Sequence, residues 1–286
     1  NLMFRTTYGD ALIPELTKVI DGSVRYQAIN AIQVAALLHT PASLALLESH
    51  IESDNEARPD IRLWSVIGVG QAIGVDSIRA DKIKGGLRAL ARGGENETNP
   101  LVLRRIFEVL DEAVRNQRPN NLGGDEIRNL AIESEVDLVK QTFQRLQDQD
   151  APADLLLALE PGIILIRNQY IDPRLQQVSR RTSNGMSEKV ATYIGRRNAP
   201  QLGQIYDVIL LNQDRIREDP ELNRAAGQLI DSSETTMKLV HSNLQSGTSP
   251  TGLTDGKALW TNQDLVGLAR NRDAWMTVLA EQPYQR

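Results

Sequence analysis

The sequence contains no cysteine. Disulfides and thiolate nucleophiles are therefore excluded, and a zinc site would have to be built from histidine and carboxylates. Histidine is nearly as scarce, with His39, His50 and His241 the full set. His39 and His50 straddle a turn and a helix rather than sharing one helical face. His50, Glu52 and Asp54 thus make no metal-binding pattern, and neither a metal nor a cofactor is implied. Aromatic residues are only 4% of the chain, so leucine, isoleucine, valine and alanine must build the core. That shortage favours helices over a β-sandwich, because strands draw on aromatic and β-branched residues. Long hydrophobic runs are missing too: none reaches the ~18 apolar residues of a spanning helix. The closest, Leu155 to Ile166, is interrupted by Glu160, Pro161 and Gly162 and reads as a buried helix pair.

What is present is globular in composition, with 41% hydrophobic and 24% charged residues over 286 positions. That length suits one large domain or two ordinary ones. The net charge of −5 argues against general nucleic-acid binding, which needs a basic surface. The first residue is Asn1 rather than Met, so the sequence is expected to be processed or to belong to a longer protein.

The first third repeats. Leu12, Leu16 and Val19 step by four and three along one helical face. Asp21, Gly22 and Ser23 then break the pattern, with Ser23 as the expected N-cap. A second helix carries Val24, Ala28, Ala31, Ala35 and Leu38. The same pattern returns as Ile61, Ser65, Gly68, Ala72 and Val75, led by Leu44, Leu47 and Ile51. It returns again as Leu103, Phe107, Leu110 and Val114, led by Ile83, Leu87 and Leu90. An arginine follows the first apolar residue of each second helix: Arg25, Arg62 and Arg104. Pro14 and Pro41 stand at or near the entry of two first helices, where a missing N–H costs little.

The residues Pro14, Asp21, Val24, Arg25 and Ala28, then Pro41, Asp54 or Asp60, Ile61 and Arg62, resemble the HEAT family of helical repeats over about residues 10 to 117. The third unit departs from the pattern, with Asn99-Pro100 where an aspartate is expected. The resemblance implies a stack of helical hairpins whose inner helices line a protein-binding surface. Physics agrees, since a hairpin this small cannot bury both faces alone and must stack on neighbours. The fold expected is all-α, a HEAT-like α-solenoid in residues 1–118 followed by a helical domain without clear repeat in 119–286.

Pro119-Asn120-Asn121-Leu122-Gly123-Gly124 marks the expected boundary, because these residues favour turns. A long helix then runs from about Asp125 to Gln149, striped by Ile132, Val136, Val139, Phe143 and Leu146. Further helices are expected near 153–159, 161–170, 173–182, 186–197, 201–216, 220–245 and 258–281. Ser246 to Gly256 reads as a loop, and Leu265, Ala269, Trp275, Met276 and Leu279 as the stripe of a closing helix.

Charge is uneven in this second part. Residues 119–166 hold nine acids and three bases, whereas 167–197 hold seven bases against Asp172 and Glu188. Arg180, Arg181, Arg196 and Arg197 in that segment are candidates for an anionic ligand or nucleic acid, through bidentate arginine contacts. Packing beside the acidic neighbour accounts for the same pattern.

Catalytic motifs do not emerge. Gly68-Val-Gly70 with Gly74 lacks the spacing and the preceding strand of a dinucleotide site, and close helix packing explains Gly68 better. No serine has a Gly-x-Ser-x-Gly context. Glu133 and Asp137 form an i, i+4 pair, but acid–base work needs a cleft that separates their pKa values. Some DNA glycosylases use HEAT-like repeats, and Trp64 and Asp60 could be cast in their roles. Fourteen bases against fifteen acids in residues 1–118 speak against it, because phosphate binding expects a positive excess. The leading expectation is a non-enzymatic interaction module or scaffold for a protein or peptide, with Arg25, Arg62 and Arg104 as contacts. Repeat arginines also serve structure by pairing with turn carboxylates.

Overall fold

The computed structural model describes residues 2–116, 118–148, 152–171, 188–244, 252–281 and 284. Among these residues every regular element is helical and no strand occurs. The chain divides into two compact units, Asn1–Glu135 and Val136–Arg286.

The first unit holds three hairpins: α1 (Leu2–Ile20) with α2 (Arg25–Leu38), α3 (Pro41–Ser49) with α4 (Pro59–Ile73), and α5 (Ala80–Glu95) with α6 (Pro100–Arg115). Helix entries follow local chemistry. Thr40 and Ser43 form a reciprocal capping box with Pro41 at the first helical position. Asn99 accepts from the backbone N–H groups of Leu101 and Val102 ahead of Pro100. Pro59 opens α4 at its first turn too, but its N-cap, Arg58, makes no side-chain cap hydrogen bond.

Two expected entries differ. Pro14 lies inside α1, which begins at Leu2, so it does not mark an entry. The N-cap of α2 is Val24 rather than Ser23, with no side-chain cap. Val24 consequently precedes the helix and is 40% exposed, whereas Ile61 and Leu103, its expected counterparts, are fully buried.

The hairpins lie side by side. α4 packs on α2 and α6, while α3 packs on α1 and α5. Alanines on α2 (Ala28, Ala31, Ala35, Ala36) keep the helices close. Gly68 does the same from α4: a Cβ there would stand 2.8 Å from Ala36 Cβ and from Leu47 Cδ1. The close-packing reading of this glycine therefore holds. Buried Ile83, Leu87, Leu90, Leu103, Phe107, Leu110 and Val114 complete the seam.

The expected boundary turn is a short 3-10 segment, Asn120–Leu122, closed by Gly123 at φ 80°. The compact units divide beyond it, inside α7 (Gly124–Leu146). Arg118 explains why this turn belongs with the first unit. Its guanidinium donates to the carbonyls of Val75 (3.3 Å), Asp76 (3.2 Å) and Ile78, and to Leu122 O (3.0 Å). The α7 stripe, Ile132, Val136, Val139, Phe143 and Leu146, is buried throughout, as expected.

The second unit contains α8 (Leu156–Ile171), α9 (Glu188–Leu202), α10 (Ile205–Leu211), α11 (Gln213–Glu218), α12 (Pro220–Leu244), α13 (Gly256–Thr261) and α14 (Leu265–Leu279). The 25-residue α12 is its axis, packed by α8, α9, α10, α11 and α13. Three expectations change. The pair expected at 153–159 and 161–170 is a 3-10 turn at Ala153–Leu155 followed by one helix with Pro161 inside it. Buried Leu159, Ile163 and Ile166 hold that helix together across the lost hydrogen bond. The helix expected at 201–216 splits at Asn212, whose side-chain amide donates to Val208 O (2.8 Å) and Leu146 O (3.0 Å) in competition with the backbone. The helix expected at 258–281 splits at Gln263, which adopts φ 60°. Within α14 the buried stripe is Gly267, Leu268, Asn271, Trp275 and Leu279, and Met276 is exposed. The helix expected at 173–182 lies outside the described residues, as does most of the Ser246–Gly256 loop.

Candidate functional site

The repeat arginines resolve into different roles. Arg25 on α2 donates through Nε to Asp60 Oδ2 at the start of α4. Arg62 on α4 makes the equivalent reach to Glu97 just before α6, with Nε and Nη2 each 2.7 Å from a carboxylate oxygen. Each pair thus ties one second helix to the entry of the next. Arg62 also donates to Glu56 O at 2.8 Å, and its side chain is only 5% exposed against 0% for Glu97. Arg62 is therefore corrected from a contact residue to an internal tie. Arg25 stays 72% exposed while paired. Arg104 bonds Glu108 one turn along its own helix, at the surface.

Two further arginines, which the sequence reading missed, clamp the turns. Arg58 donates to Ile20 O (2.8 Å), Gly22 O (3.3 Å) and the Glu56 carboxylate. Arg118 holds the Val75–Ile78 turn. Both precede a proline, Arg58-Pro59 and Arg118-Pro119, and that repeated dipeptide was the available signal. A residue before proline is kept extended, which suits a side chain reaching away from the helix. Burial alone would raise the pKa of Glu56, but the Arg58 hydrogen bonds outweigh it and hold the carboxyl below its ordinary value. Arg25 overcomes burial at Asp60 likewise.

The outward side of the second helices is apolar over two of the three. On α2, Tyr26, Val34 and Leu37 are exposed. On the adjoining α4, Leu63, Trp64 and Ile67 are half-buried, while Ile61, Val66, Val69 and Ile73 fill the core side. α4 is thus apolar around most of its circumference yet has one side in contact with water. A helix of that kind is usually buried all round. On α6 the exposed Leu101 is followed on the same side by Arg104, Arg105, Glu108 and Glu112, joined by ion pairs.

The second unit concentrates polarity in two places. One is a buried network around Glu234 on α12. Tyr206 Oη donates to it, as does Asn271 Nδ2 at 3.1 Å. Gly256 N approaches at 3.5 Å, and Lys238 Nζ lies 3.6 Å away. Asn271 also exchanges two hydrogen bonds with the backbone of Thr254. Burial, then the adjacent Glu234 carboxylate, pushes the Tyr206 phenol far above its ordinary range and keeps it a donor. A Cβ at 256 would stand 2.4 Å from Glu234 Oε1 and 2.7 Å from Ile230 Cγ2, so glycine lets the backbone come this close without moving either side chain.

The other is a pocket of about 460 Å³ where α11, α12 and α13 meet. Arg217, Arg224 and Lys257 line it with Asn223, Gln228 and Trp260, and its lining includes no carboxylate. Trp260 is fixed by Nε1 donating to Asn223 O at 3.1 Å, and the Arg217 guanidinium lies 5.2 Å from its ring centroid. Arg217 Nη2 is buried without a hydrogen-bond acceptor.

Within the Arg-rich segment, Arg180 and Arg181 lie outside the described residues. Arg196 is exposed, and Arg197 pairs with Asp137 at 3.2 Å, the acidic-neighbour arrangement. No group of histidine and carboxylates fit to hold a metal ion occurs among the described residues. His50 Nδ1 lies 3.4 Å from Glu56, and His241 Nδ1 meets Tyr284 Oη at 2.7 Å. No helix among the described residues is long and apolar enough to cross a membrane.

These features define an all-helical protein of two units. Compared with known proteins, the chain matches no family model and no curated protein. Among solved structures it is similar to one described as "Computational Design of Self-Assembling Cyclic Protein Homooligomers". Identity there is 14% over 98% of this chain and 96% of the other, with a TM-score of 0.34, a likeness that carries no weight for fold or function.

Proposed function

We propose that the first unit is a HEAT-like stack of helical hairpins and that it works as a non-enzymatic scaffold, binding a protein through the outward side of α2 and α4. The observation that carries this reading is the set Tyr26, Val34 and Leu37 beside Leu63, Trp64 and Ile67, apolar residues left at the surface by two adjoining helices. Large apolar side chains left at the surface of adjoining helices are a feature of interaction sites. The side-by-side order of α2, α4 and α6, and the Arg25–Asp60 and Arg62–Glu97 ties repeated along it, support the solenoid. Arg25 and Arg104 sit at the charged margin, whereas Arg62 leaves the contact set.

The partner this surface suits is an amphipathic helix, read through apolar anchors at i, i+3, i+4 and i+7. A displayed peptide library selected on the wild-type protein tests it, with counter-screening on Tyr26→Glu/Leu37→Glu. Both positions are exposed, so the variant should melt within a few degrees of wild type. Selected peptides are expected to carry helical apolar spacing and to bind the variant about tenfold or more weakly. Peptides that bind both proteins equally, or none at all, would refute the reading.

A further inference from the structure

The pocket between α11, α12 and α13 has a chemistry that the scaffold reading does not use. Its lining gathers three cations from three helices, Arg217, Arg224 and Lys257, in a protein whose net charge is negative. Carboxylates do stand nearby in sequence, at Glu218, Asp219 and Glu221, but none lines the pocket. Asp219 is turned to capping, accepting from the backbone N–H groups of Glu221 and Leu222. Lys257 Nζ reaches only the neutral Gln228 Oε1, at 3.3 Å. Arg217 is held over Trp260 and has a buried Nη2 without an acceptor. With no carboxylate in the lining, an anion entering the pocket would meet three cations and no like charge.

We infer that this pocket binds a small sugar phosphate. Two arginines and a lysine suit a phosphate dianion better than a single carboxylate, because the guanidinium fork takes two oxygens at once and the ammonium adds a point charge. The rest of the lining fits a polyhydroxyl body: the amides of Asn223, Gln228 and Gln263 and the Thr261 hydroxyl, with the buried Trp260 as the wall behind them. A volume of about 460 Å³ falls in the range of small-ligand sites. Gly227 contributes by its size, since a Cβ there would stand 3.3 Å from Trp260 Cδ1 against the pocket wall.

Isothermal titration at low ionic strength tests the assignment, with glucose 6-phosphate and ribose 5-phosphate as probes and glucose and inorganic phosphate as controls. Wild type is expected to bind the sugar phosphates, to ignore glucose, and to bind inorganic phosphate more weakly. Arg224→Gln, at an exposed position, and Lys257→Gln, at a half-buried one hydrogen-bonded to the neutral Gln228, should each weaken binding roughly tenfold while leaving the melting temperature near wild type. Arg196→Gln, in the Arg-rich segment, should leave it unchanged. Rising salt should weaken what remains. Any of these outcomes overturns the inference: no binding of either sugar phosphate, equal binding of glucose, inorganic phosphate binding as well as the sugar phosphates, or affinity unaltered in Lys257→Gln and Arg224→Gln. A single-stranded oligonucleotide that binds where the sugar phosphates do not would overturn it as well.

Discussion

The two units solve one problem, placing charged side chains among packed helices, in different ways. In the first, the same tie is used again as the chain advances, Arg25 to Asp60 and then Arg62 to Glu97, and arginines ahead of proline clamp two turns. In the second, donors from separate helices converge once, on Glu234. A repeated tie distributes its cost over a stack, whereas a hub concentrates it on a single carboxylate. The comparison also shows how position in a stack changes what one tie is worth. Arg25 sits at the end hairpin and is exposed, while Arg62, flanked by hairpins on both sides, is buried.

The largest effect is expected at the buried tie. Glu97→Ala strands the Arg62 guanidinium inside the stack and removes the acceptor of Asn99 N–H. Breaking a buried pair from one side costs about 3–5 kcal/mol. Urea denaturation should show this loss, and Asp60→Ala, the same change at the exposed tie, should cost about 1 kcal/mol or less. Equal losses at the two sites would mean that burial does not distinguish them.

The hub comes next. Glu234→Ala leaves the Tyr206 hydroxyl and the Asn271 amide short of a partner in the interior, at about 2–3 kcal/mol in sum for unsatisfied donors. Near-ultraviolet circular dichroism of the buried Trp275 and Tyr206 should change with it, because both belong to this unit's core. A neutral outcome in denaturation would show that the network is incidental to the second unit's stability.

The same contrast governs how much was legible in the sequence. The three hairpins could be read because their apolar residues recur at helical spacing within short windows, and Ala28, Ile61, Leu103 and Phe107 are buried as that spacing requires. The misreadings there came from single residues at helix ends. Pro14 sits within a helix, and Val24 precedes one, where no periodicity constrains it. In the second unit the breaks at Asn212 and Gln263 depend on a side-chain hydrogen bond and a positive φ, neither of which leaves a periodic trace. The candidate sites divide likewise. The repeat arginines announced themselves by spacing, although burial reassigned Arg62 to structure. The pocket residues Arg217, Arg224, Lys257 and Trp260 come from three helices and share no local pattern, so only folding brings them together.

The smallest expected effect concerns acid. Burial works to raise the Glu56 pKa and Arg58 works harder to lower it, so the folded value lies below the ordinary 4.5. A carboxyl with a depressed folded pKa binds its proton more readily when unfolded. It therefore stabilises the fold above the unfolded value and loses that contribution as pH falls through the folded one. Wild type should thus lose stability gradually below about pH 4.5. Arg58→Met removes the guanidinium, the main group that lowers this pKa, and leaves only the backbone N–H of residue 58 and the neighbouring His50 to oppose burial. In that variant the Glu56 carboxylate contributes less: stability at neutral pH is lower, and the deficit against wild type narrows as acid neutralises the carboxyl. Chemical denaturation at pH values on both sides of the ordinary carboxyl range, read as the difference between the two proteins, should shrink toward the acid end. A difference that stays constant with pH would assign the role of Arg58 to its hydrogen bonds with Ile20 O and Gly22 O alone.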